Sequence, residues 1–446
     1  MTYRLLTEAG GGLLTEAGDY LAWPGSVLWP PIPPPADGGA LAADLVHVIL
    51  ALPTALDVWD KARWDQDQWD AVALDNFVDV SCDCSGVSIE RGRSGPLDHA
   101  APARASFQLD NPTGVYSPWN TVDVNGADLG RPVLGPDVPV QVATHAGPLF
   151  TGFVRTLTET DDGGESTVQV ACTDALSFLG DANGFEQASQ GGGELAGARL
   201  GRIMDQAALP ALVDRDLDTG VATLQATTLA KGALEEAWLT ADSDGGVFWA
   251  TPGGVIRYVD PNGLQSAEFT EPVATFTDDP YGDGLCPIQF TIATDRDMVK
   301  NVVSVARVGG TAQTVTDALS VTRHGARTTQ RTDLIHQDDA WSATVAGFML
   351  ARLANAETTV SPIDGVATDD DGWFDLAHLV DLGSRVELIR YRFGQVLEIL
   401  ATVDGIGHNI SLDQWTVTLK CAPGEQVQGY SRWDSAVWDQ SVWDHR

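Results

Sequence analysis

The cysteines of this 446-residue chain do not outline a metal site or a disulfide framework. Cys82 and Cys84 are one residue apart, but no second cysteine pair and no histidine pair follows at the spacing of a zinc site. Five cysteines are an odd number spread over a long chain, which excludes a disulfide-rich scaffold and favours synthesis in a reducing compartment. The alternating pattern around Cys82 and Cys84 predicts that both are strand residues packed in a core.

One acidic run resembles a calcium-binding loop without completing it. Asp214, Asp216 and Asp218 have the right spacing for calcium ligands. Gly220 lies one position late, however, and the twelfth position is Gln225 rather than Glu. The sequence therefore predicts no metal ion and no cofactor.

No catalytic motif is present in the sequence. It contains no Gly-x-Ser-x-Gly elbow, no His-Glu-x-x-His helix and no Gly-x-x-x-x-Gly-Lys phosphate loop, and its eight histidines are scattered. His324 and His408 are the single residues that could act in a cell-wall hydrolase. An isolated histidine is more often structural than catalytic. The sequence therefore predicts that the protein is not an enzyme.

Tryptophan-aspartate pairs recur at intervals of five residues in two segments. A spacing of five puts the rings on one side of neither a helix nor a strand, so a repeated tight turn fits better. Indole rings combine a large buried area with one polar group, which is typical of docking contacts to a neighbouring subunit. Packing within the chain and stacking on carbohydrate are the alternatives. The predicted partner-binding residues are Trp59, Trp64, Trp69, Trp433, Trp438 and Trp443.

Composition excludes several classes of protein. The chain has 26 basic against 62 acidic residues, a formal net charge of −36, so it lacks the clustered positive charge that grips nucleic acid or anionic lipid. The longest apolar run, Leu45–Leu52, is far below the ~20 residues of a membrane-spanning helix. The first residues of the chain lack the apolar stretch of a secretory signal. The length predicts about three domains.

Strand patterns dominate two parts of the chain. From about residue 72 alternate apolar residues mark strands, one face carrying Val78, Val80, Cys82 and Cys84 and another Ala103, Ala105, Phe107 and Leu109. Strands resume near Ile288 and are clearest at 396–403 and 415–421. Short strands at this spacing are typical of barrels or sandwiches.

Helical patterns lie mainly between these two parts. Apolar residues at helical offsets predict helices over 196–207 and 229–241, and a hairpin is predicted over 247–259. A further helix over 341–352 is predicted to begin behind an Asp338 cap. Residues 369–372, Asp-Asp-Asp-Gly, are predicted to form a solvated turn.

These patterns divide the chain into six predicted regions. The fold class that they predict is mainly β with an α+β insertion, in which two β-regions of the barrel or sandwich type flank a small α+β module. The regions are an N-terminal hairpin arm with a proline-rich linker (1–40), a Trp-Asp connector (41–71), a first β-region (72–180), the α+β module (181–280), a second β-region with a helix (281–425) and a Trp-Asp tail (426–446).

Six segments of the chain carry a set of motifs, at 105–118, 135–142, 148–154, 216–220, 244–248 and 415–419. The first three follow the order of a strand, an Asp-Asn turn, a capped strand and a Leu-Phe-Thr-Gly strand. Together the six segments resemble minor tail proteins of long-tailed actinobacterial phages. The resemblance covers about 75–425 and rests on weak motifs rather than a catalytic signature.

This resemblance implies a baseplate or tail-tip hub. In that group two tube-like β-barrels per chain let three subunits form a pseudo-sixfold ring that continues the tail tube. The resemblance therefore implies that the β-regions 72–180 and 281–425 are two tube-like β-barrel domains. The implied partners are two further copies of the chain, the distal tail protein or tail tube, the tape measure protein and other minor tail or receptor-binding proteins. Phage DNA would pass through the lumen without specific binding, and an acidic wall suits that passage.

The implied location is the distal end of the tail in the virion, after synthesis in the host cytoplasm. There the protein would anchor receptor-binding components and take part in host attachment and genome ejection. Two alternatives stay open: a receptor- or glycan-binding tip protein and a tail-associated cell-wall hydrolase. A halophilic host would also explain the acidity.

Overall fold

The structure is a computed structural model that describes most of the chain between residues 45 and 427. The described residues are 6–7, 13–14, 20–21, 29, 45–52, 76–93, 95, 98–122, 128–130, 132–182, 189–210, 212–279, 284–355, 358–368, 370–392, 395–422 and 425–427.

A small antiparallel sheet lies near the start of the chain. The hexapeptide Leu-Leu-Thr-Glu-Ala-Gly occurs at 5–10 and again at 13–18. The two copies pair as the predicted N-terminal hairpin, with Leu6 opposite Leu14, and a third strand extends the pair. The strands are β1 (Leu6–Thr7), β2 (Leu13–Leu14) and β3 (Tyr20–Leu21).

The first β-region contains seven strands, paired antiparallel. In the strand Ala101–Asp110 the alternation predicted the buried face correctly, because Ala103, Ala105, Phe107 and Leu109 are all buried. The strands are β4 (His47–Leu52), β5 (Asn76–Asp79), β6 (Cys84–Gly92), β7 (Ala101–Asp110), β8 (Pro139–Thr144), β9 (Gly147–Asp162) and β10 (Glu165–Thr173).

The prediction that Cys82 lies in a strand beside Cys84 is wrong. A turn of 3₁₀ helix, Ser81–Asp83, separates β5 from β6 and interrupts the alternation. The turn is held where the Ser81 hydroxyl accepts a hydrogen bond from the Val48 amide at 2.8 Å. Cys82 is therefore exposed, whereas Cys84 is buried.

The α+β module follows and has its own apolar core. The helix predicted over 196–207 is confirmed, the one predicted over 229–241 begins four residues later, and the predicted hairpin pairs Val247 with Val259. The elements are α1 (Leu176–Asp181), α2 (Ala196–Gln206), β11 (Arg215–Leu217), α3 (Ala233–Asp244), β12 (Val247–Ala250), β13 (Ile256–Val259) and α4 (Ala267–Thr270).

A compact unit interrupts the second β-region after its first two strands, β14 (Pro272–Thr277) and β15 (Gln289–Thr294). A long helix packs on its three-stranded sheet, and the Asp338 side chain caps that helix by accepting a hydrogen bond from the Ala340 amide, as predicted. The unit consists of β16 (Val302–Arg307), β17 (Gln313–Thr316), α5 (Ala318–His324), β18 (Thr328–Leu334) and α6 (Asp339–Leu353).

The remaining elements complete the second β-region. The predicted solvated turn is wrong at Asp370, which is exposed but caps a helix by accepting hydrogen bonds from the Gly372 and Trp373 amides. The elements are β19 (Thr358–Val366), α7 (Asp371–Leu379), β20 (Arg385–Arg392), β21 (Gln395–Ser411), β22 (Trp415–Cys421) and β23 (Glu425–Val427).

The two β-regions share one 14-stranded sheet in the described part of the chain. Strand β21 joins them, because its first half pairs with β20 and its second half pairs with both β22 and β6. One continuous apolar core accompanies this sheet through both regions. The mainly β fold class is therefore confirmed, whereas no closed barrel occurs among the described strands and the two-barrel layout stays a prediction.

Among the helices described, none is both long and apolar enough to cross a membrane.

Candidate functional site

The six tryptophans predicted to bind a partner lie outside the described residues. Trp59, Trp64 and Trp69 belong to the stretch between β4 and β5, and Trp433, Trp438 and Trp443 follow β23. Their role stays a prediction.

The residues considered as metal ligands have other contacts in the structure. Asp216 forms an ion pair with Arg257 at 3.4 Å, and an Asp218 carboxylate oxygen accepts a hydrogen bond from the Asp260 amide at 3.0 Å. Burial raises the pKa of the Cys84 thiol to about 11. Across the described ranges, no group of three histidine, cysteine or acidic side chains is arranged to hold a metal ion.

The two histidines considered as catalytic lie in different parts of the fold. His324 is the last residue of α5. His408 is buried in β21 and accepts a hydrogen bond from the Trp415 indole at 3.2 Å. Burial lowers the pKa of His408 to about 3, so the ring is neutral at physiological pH and packs as a core residue.

A cavity of about 430 Å³ lies where four parts of the fold meet. Its walls come from the segment after β6, from α3 and the start of β12, from α6, and from β20 and β21. This volume is within the range of small-molecule and peptide pockets, which often lie between domains. The cavity is the candidate functional site.

One wall of the cavity is an ion-pair cluster around Asp242. This carboxylate is 2.6 Å from the Arg331 guanidinium and 2.7 Å from Nε2 of His99. The His99 ring stacks on Trp238, with 4.8 Å between ring centroids and 7° between ring planes. The charge of Asp242 is therefore neutralised within the wall.

A second wall contains the ion pair of Arg93 with Asp404. Nε of Arg93 donates to Oδ1 of Asp404 at 2.7 Å, and Nη2 of Arg93 donates to the same oxygen. Oδ2 of Asp404 is buried and has no hydrogen-bond partner within the described residues. This pair links the segment after β6 to β21.

Arg352 and Arg385 also line the cavity, and neither makes an ion pair with any described residue. Arg352 is exposed to solvent. Desolvation by the surrounding protein and the positive charges of Arg93 and Arg385 outweigh the opposing charge of Asp404 and lower the pKa of the Arg352 guanidinium to about 10. Two cations therefore face a space without a carboxylate partner of their own.

The rest of the lining is apolar and partly aromatic. Trp249, Phe269, Phe348, Met349 and Leu400 line the cavity, and Phe348 is 38% exposed. Guanidinium groups bind carboxylates in a planar, two-point geometry, and apolar walls accept rings. The arrangement is suited to hold a ligand that carries both an acidic group and an apolar group.

No motif or spacing in the sequence pointed to this site. Its arginines come from separate elements, Arg93 after β6, Arg352 in α6 and Arg385 in β20, and each looks like an ordinary surface residue in its own segment. The composition bears on the site in one way: because acidic residues far outnumber basic ones, an arginine without a carboxylate partner is unusual in this chain.

Comparisons with known proteins identify the fold. No family model matches the chain, and no curated protein matches it by sequence. The structure is similar to the tail protein from Neisseria meningitidis MC58, with a TM-score of 0.55 and 14% identity over 86% of this chain and 96% of that one. It is also similar to the 43 kDa tail protein of prophage MuSo2 from Shewanella oneidensis, with a TM-score of 0.53 and 12% identity over 84% of this chain and 98% of that one.

The chain therefore has the fold of these prophage and bacterial tail proteins along most of its length. At such identities the similarity establishes the fold.

Proposed function

We propose that this protein is a structural component of a phage tail and forms a ring at the distal end of the tail tube, as a tail-tip or baseplate hub. The observation that carries the proposal is the near full-length match to two tail proteins, 96% and 98% of whose chains are covered. A match over whole chains favours a shared structural task more than a match to one domain would. The motifs that resemble actinobacterial minor tail proteins support the same proposal.

The shape of the large sheet supports a ring. In the described residues the main path of the sheet ends at β5 on one side and at β15 on the other, and each of these strands pairs with one neighbour. A branch at β21 carries β20, β14 and β23. Two different free edges on one subunit allow head-to-tail contacts, which close into a ring when the rotation is right. Three copies would complete the ring, with the two β-regions of each copy acting as two tube-like units.

The charge of the chain supports passage of DNA through such a ring. With a net charge of −36, a lumen wall made by this chain would repel phosphates and leave DNA free to move. The hairpin between β9 and β10 contributes exposed Asp161, Asp162 and Glu165. The ring would contact the distal tail protein or tail tube on one side, and the tape measure and receptor-binding proteins elsewhere.

The test is the native mass of the purified full chain by light scattering, at near-physiological and at high salt. A mass of three 47.4 kDa chains is expected, at high salt at least, because salt screens the repulsion between acidic subunits. A monomer under both conditions would contradict the ring.

A substitution pair tests the edge contact. Ala293→Lys places a charge on an exposed position of the outer strand β15, and charged side chains block pairing at sheet edges. Gln169→Lys introduces the same charge at an exposed position of β10, a strand that has neighbours on both sides in the sheet. We expect A293K to lower the trimer fraction and Q169K to leave it unchanged. If the trimer persists in A293K, another surface joins the copies.

A receptor- or glycan-binding role at the tail tip is the second candidate. Trp119 is 71% exposed, lies near the exposed Val115 and Val122, and donates a hydrogen bond to Glu159 at 3.1 Å. An exposed ring can stack on a sugar, and a carboxylate beside it can accept hydrogen bonds from the sugar hydroxyl groups. Binding of the purified chain to host cell walls, lost in Trp119→Ala, would favour this role.

A further inference from the structure

The cavity described above has an apolar lining and two arginines, Arg352 and Arg385, that form no ion pair with a described carboxylate. The chain as a whole has 62 acidic residues for 26 basic ones, so arginines without a carboxylate partner stand out. Of the acidic residues in the lining, Asp242 pairs with Arg331, and Asp404 pairs with Arg93 while its charge also acts on Arg352. The third acidic residue is Asp98, so three aspartates face four arginines, Arg93, Arg331, Arg352 and Arg385. The lining therefore has an excess of positive charge.

We propose that this cavity holds the second Trp-Asp segment of the same chain, residues 433–444, with an aspartate on Arg352 and Arg385 and an indole ring against the apolar lining. The inference concerns folding of the chain on itself and does not depend on the tail function.

The composition of the segment matches the cavity. Residues 433–444 contain three aspartates, three tryptophans and no lysine or arginine. Each Asp directly follows a Trp, so one Trp-Asp pair presents a ring and a carboxylate close together. The apolar wall residues Trp249, Phe269 and Phe348 offer contacts for the ring, and the two arginines offer donors for the carboxylate.

The described chain ends close enough to reach the cavity. Ala422 lines the cavity, and in β23 Glu425 pairs with Leu400, which also lines it. Val427 pairs with Glu398, two residues farther along β21, which is a distance of about 7 Å. Trp433 follows Val427 by six positions, which span up to about 20 Å when extended. The segment can therefore return to the cavity.

The first Trp-Asp segment is less well placed. It lies between Leu52 at the end of β4 and Asn76 at the start of β5. In the order of the large sheet, β4 is separated from β21 by β6, β7, β10, β9 and β8. At about 4.8 Å per strand the two strands lie roughly 29 Å apart along the sheet.

Photo-crosslinking in the full chain tests the proposal. Phe348 is replaced by p-benzoylphenylalanine, which the site tolerates because this side chain is partly exposed, and the irradiated protein is digested with trypsin. Trypsin cuts after Arg432 and releases residues 433–446 as one peptide. We expect the main adduct to join Phe348's position to this peptide, in protein that migrates at the mass of one chain. The same probe at Leu319, which is 77% exposed on α5, should give no such adduct.

Arginine variants test the charge contact. Arg352→Gln combined with Arg385→Gln should lower the yield of the adduct at least fivefold, because charge-assisted hydrogen bonds to the aspartate are lost. Arg323→Gln is the matched control, since Arg323 is exposed on α5 and makes no ion pair with a described residue. Circular dichroism establishes that each variant is folded, and Arg352→Lys with Arg385→Lys, which keeps both charges, should retain most of the yield.

Three results would overturn the proposal. The first is an adduct with a peptide other than 433–446. The second is an adduct with 433–446 that occurs only in species of two chain masses, which would assign the cavity to the segment of a second copy. The third is an adduct yield that the double Gln variant leaves unchanged.

Discussion

Arg91 joins three parts of the fold, and its removal should be among the most costly single changes in the chain. Its Nη2 donates to Oδ1 of Asp381 at 2.7 Å and to the carbonyl of Ala250 at 3.0 Å. The other oxygen of Asp381 accepts a hydrogen bond from the Trp249 indole at 3.1 Å. One guanidinium thus connects β6, β12 and the turn after α7.

The expected magnitude follows from burial. The Arg91 side chain is 3% exposed and that of Asp381 is 22% exposed. Loss of one partner from a buried ion pair costs about 3–5 kcal/mol, and partial exposure of Asp381 reduces this to roughly 2–4 kcal/mol. Arg91→Met keeps the apolar stem, so the measured loss reports the polar contacts.

Urea unfolding, followed by tryptophan fluorescence, measures the effect as the shift of the transition midpoint multiplied by its slope. Arg155→Met is the matched control, because Arg155 pairs with Asp181 at 3.3 Å while both side chains are more than half exposed. It should cost no more than about 1 kcal/mol. If Arg91→Met costs as little as this control, the junction does not stabilise the fold as argued.

Four further substitutions have predictable effects on stability. Asp338→Ala removes the cap of α6 and should lower the free energy of unfolding by about 1 kcal/mol in urea titrations, whereas an unchanged midpoint would mean that the cap is unimportant. Gly365→Ala would place a Cβ 2.1 Å from the buried Trp373 ring and should lower the stability by about 3 kcal/mol or more. Gly347→Ala in α6, where a Cβ would have no heavy atom within 4 Å, should raise the stability by about 0.5–1 kcal/mol. Thermal unfolding measures both, and equal effects would refute the packing argument. Burial raises the pKa of Asp174 to about 7. Between pH ~4 and 7 this carboxyl group therefore stays protonated in the folded protein and is ionised in the unfolded chain, so its contribution to stability should fall as pH rises, by up to ~1.4 kcal/mol per pH unit. Asp174→Asn should flatten that dependence, and an unaltered slope would assign it to other groups.

Local patterns in the sequence predicted many individual elements. The helix over 196–206, the cap at Asp338 and the alternation through Phe107 depend on contacts within a few residues, and the structure confirms them. Errors came where local polarity was ambiguous. Asp370 looks like part of a solvated turn but caps a helix, and the 3₁₀ turn at Cys82 shifts an alternation that otherwise reads as one strand.

The arrangement of the elements and the cavity were beyond local patterns. The Arg91–Asp381 pair joins residues 290 positions apart, and the segments that line the cavity are spread from Arg93 to Ala422. Periodicity describes which face of an element is buried but not which other element covers it. The Trp-Asp repeats were the clearest feature of the sequence, and they lie outside the described residues.

The pairing of β6 with β21 has a consequence for how the chain folds during synthesis. Strand β6 is completed early, yet the strand that covers its outer side is made about 300 residues later. Until then the first β-region has an unpaired strand edge, and such edges promote association between nascent chains. Closing so long a loop also slows the last step of sheet formation. Most of the chain must therefore leave the ribosome before the sheet can be completed, and during that interval protection of β6 falls to other parts of the chain or to chaperones.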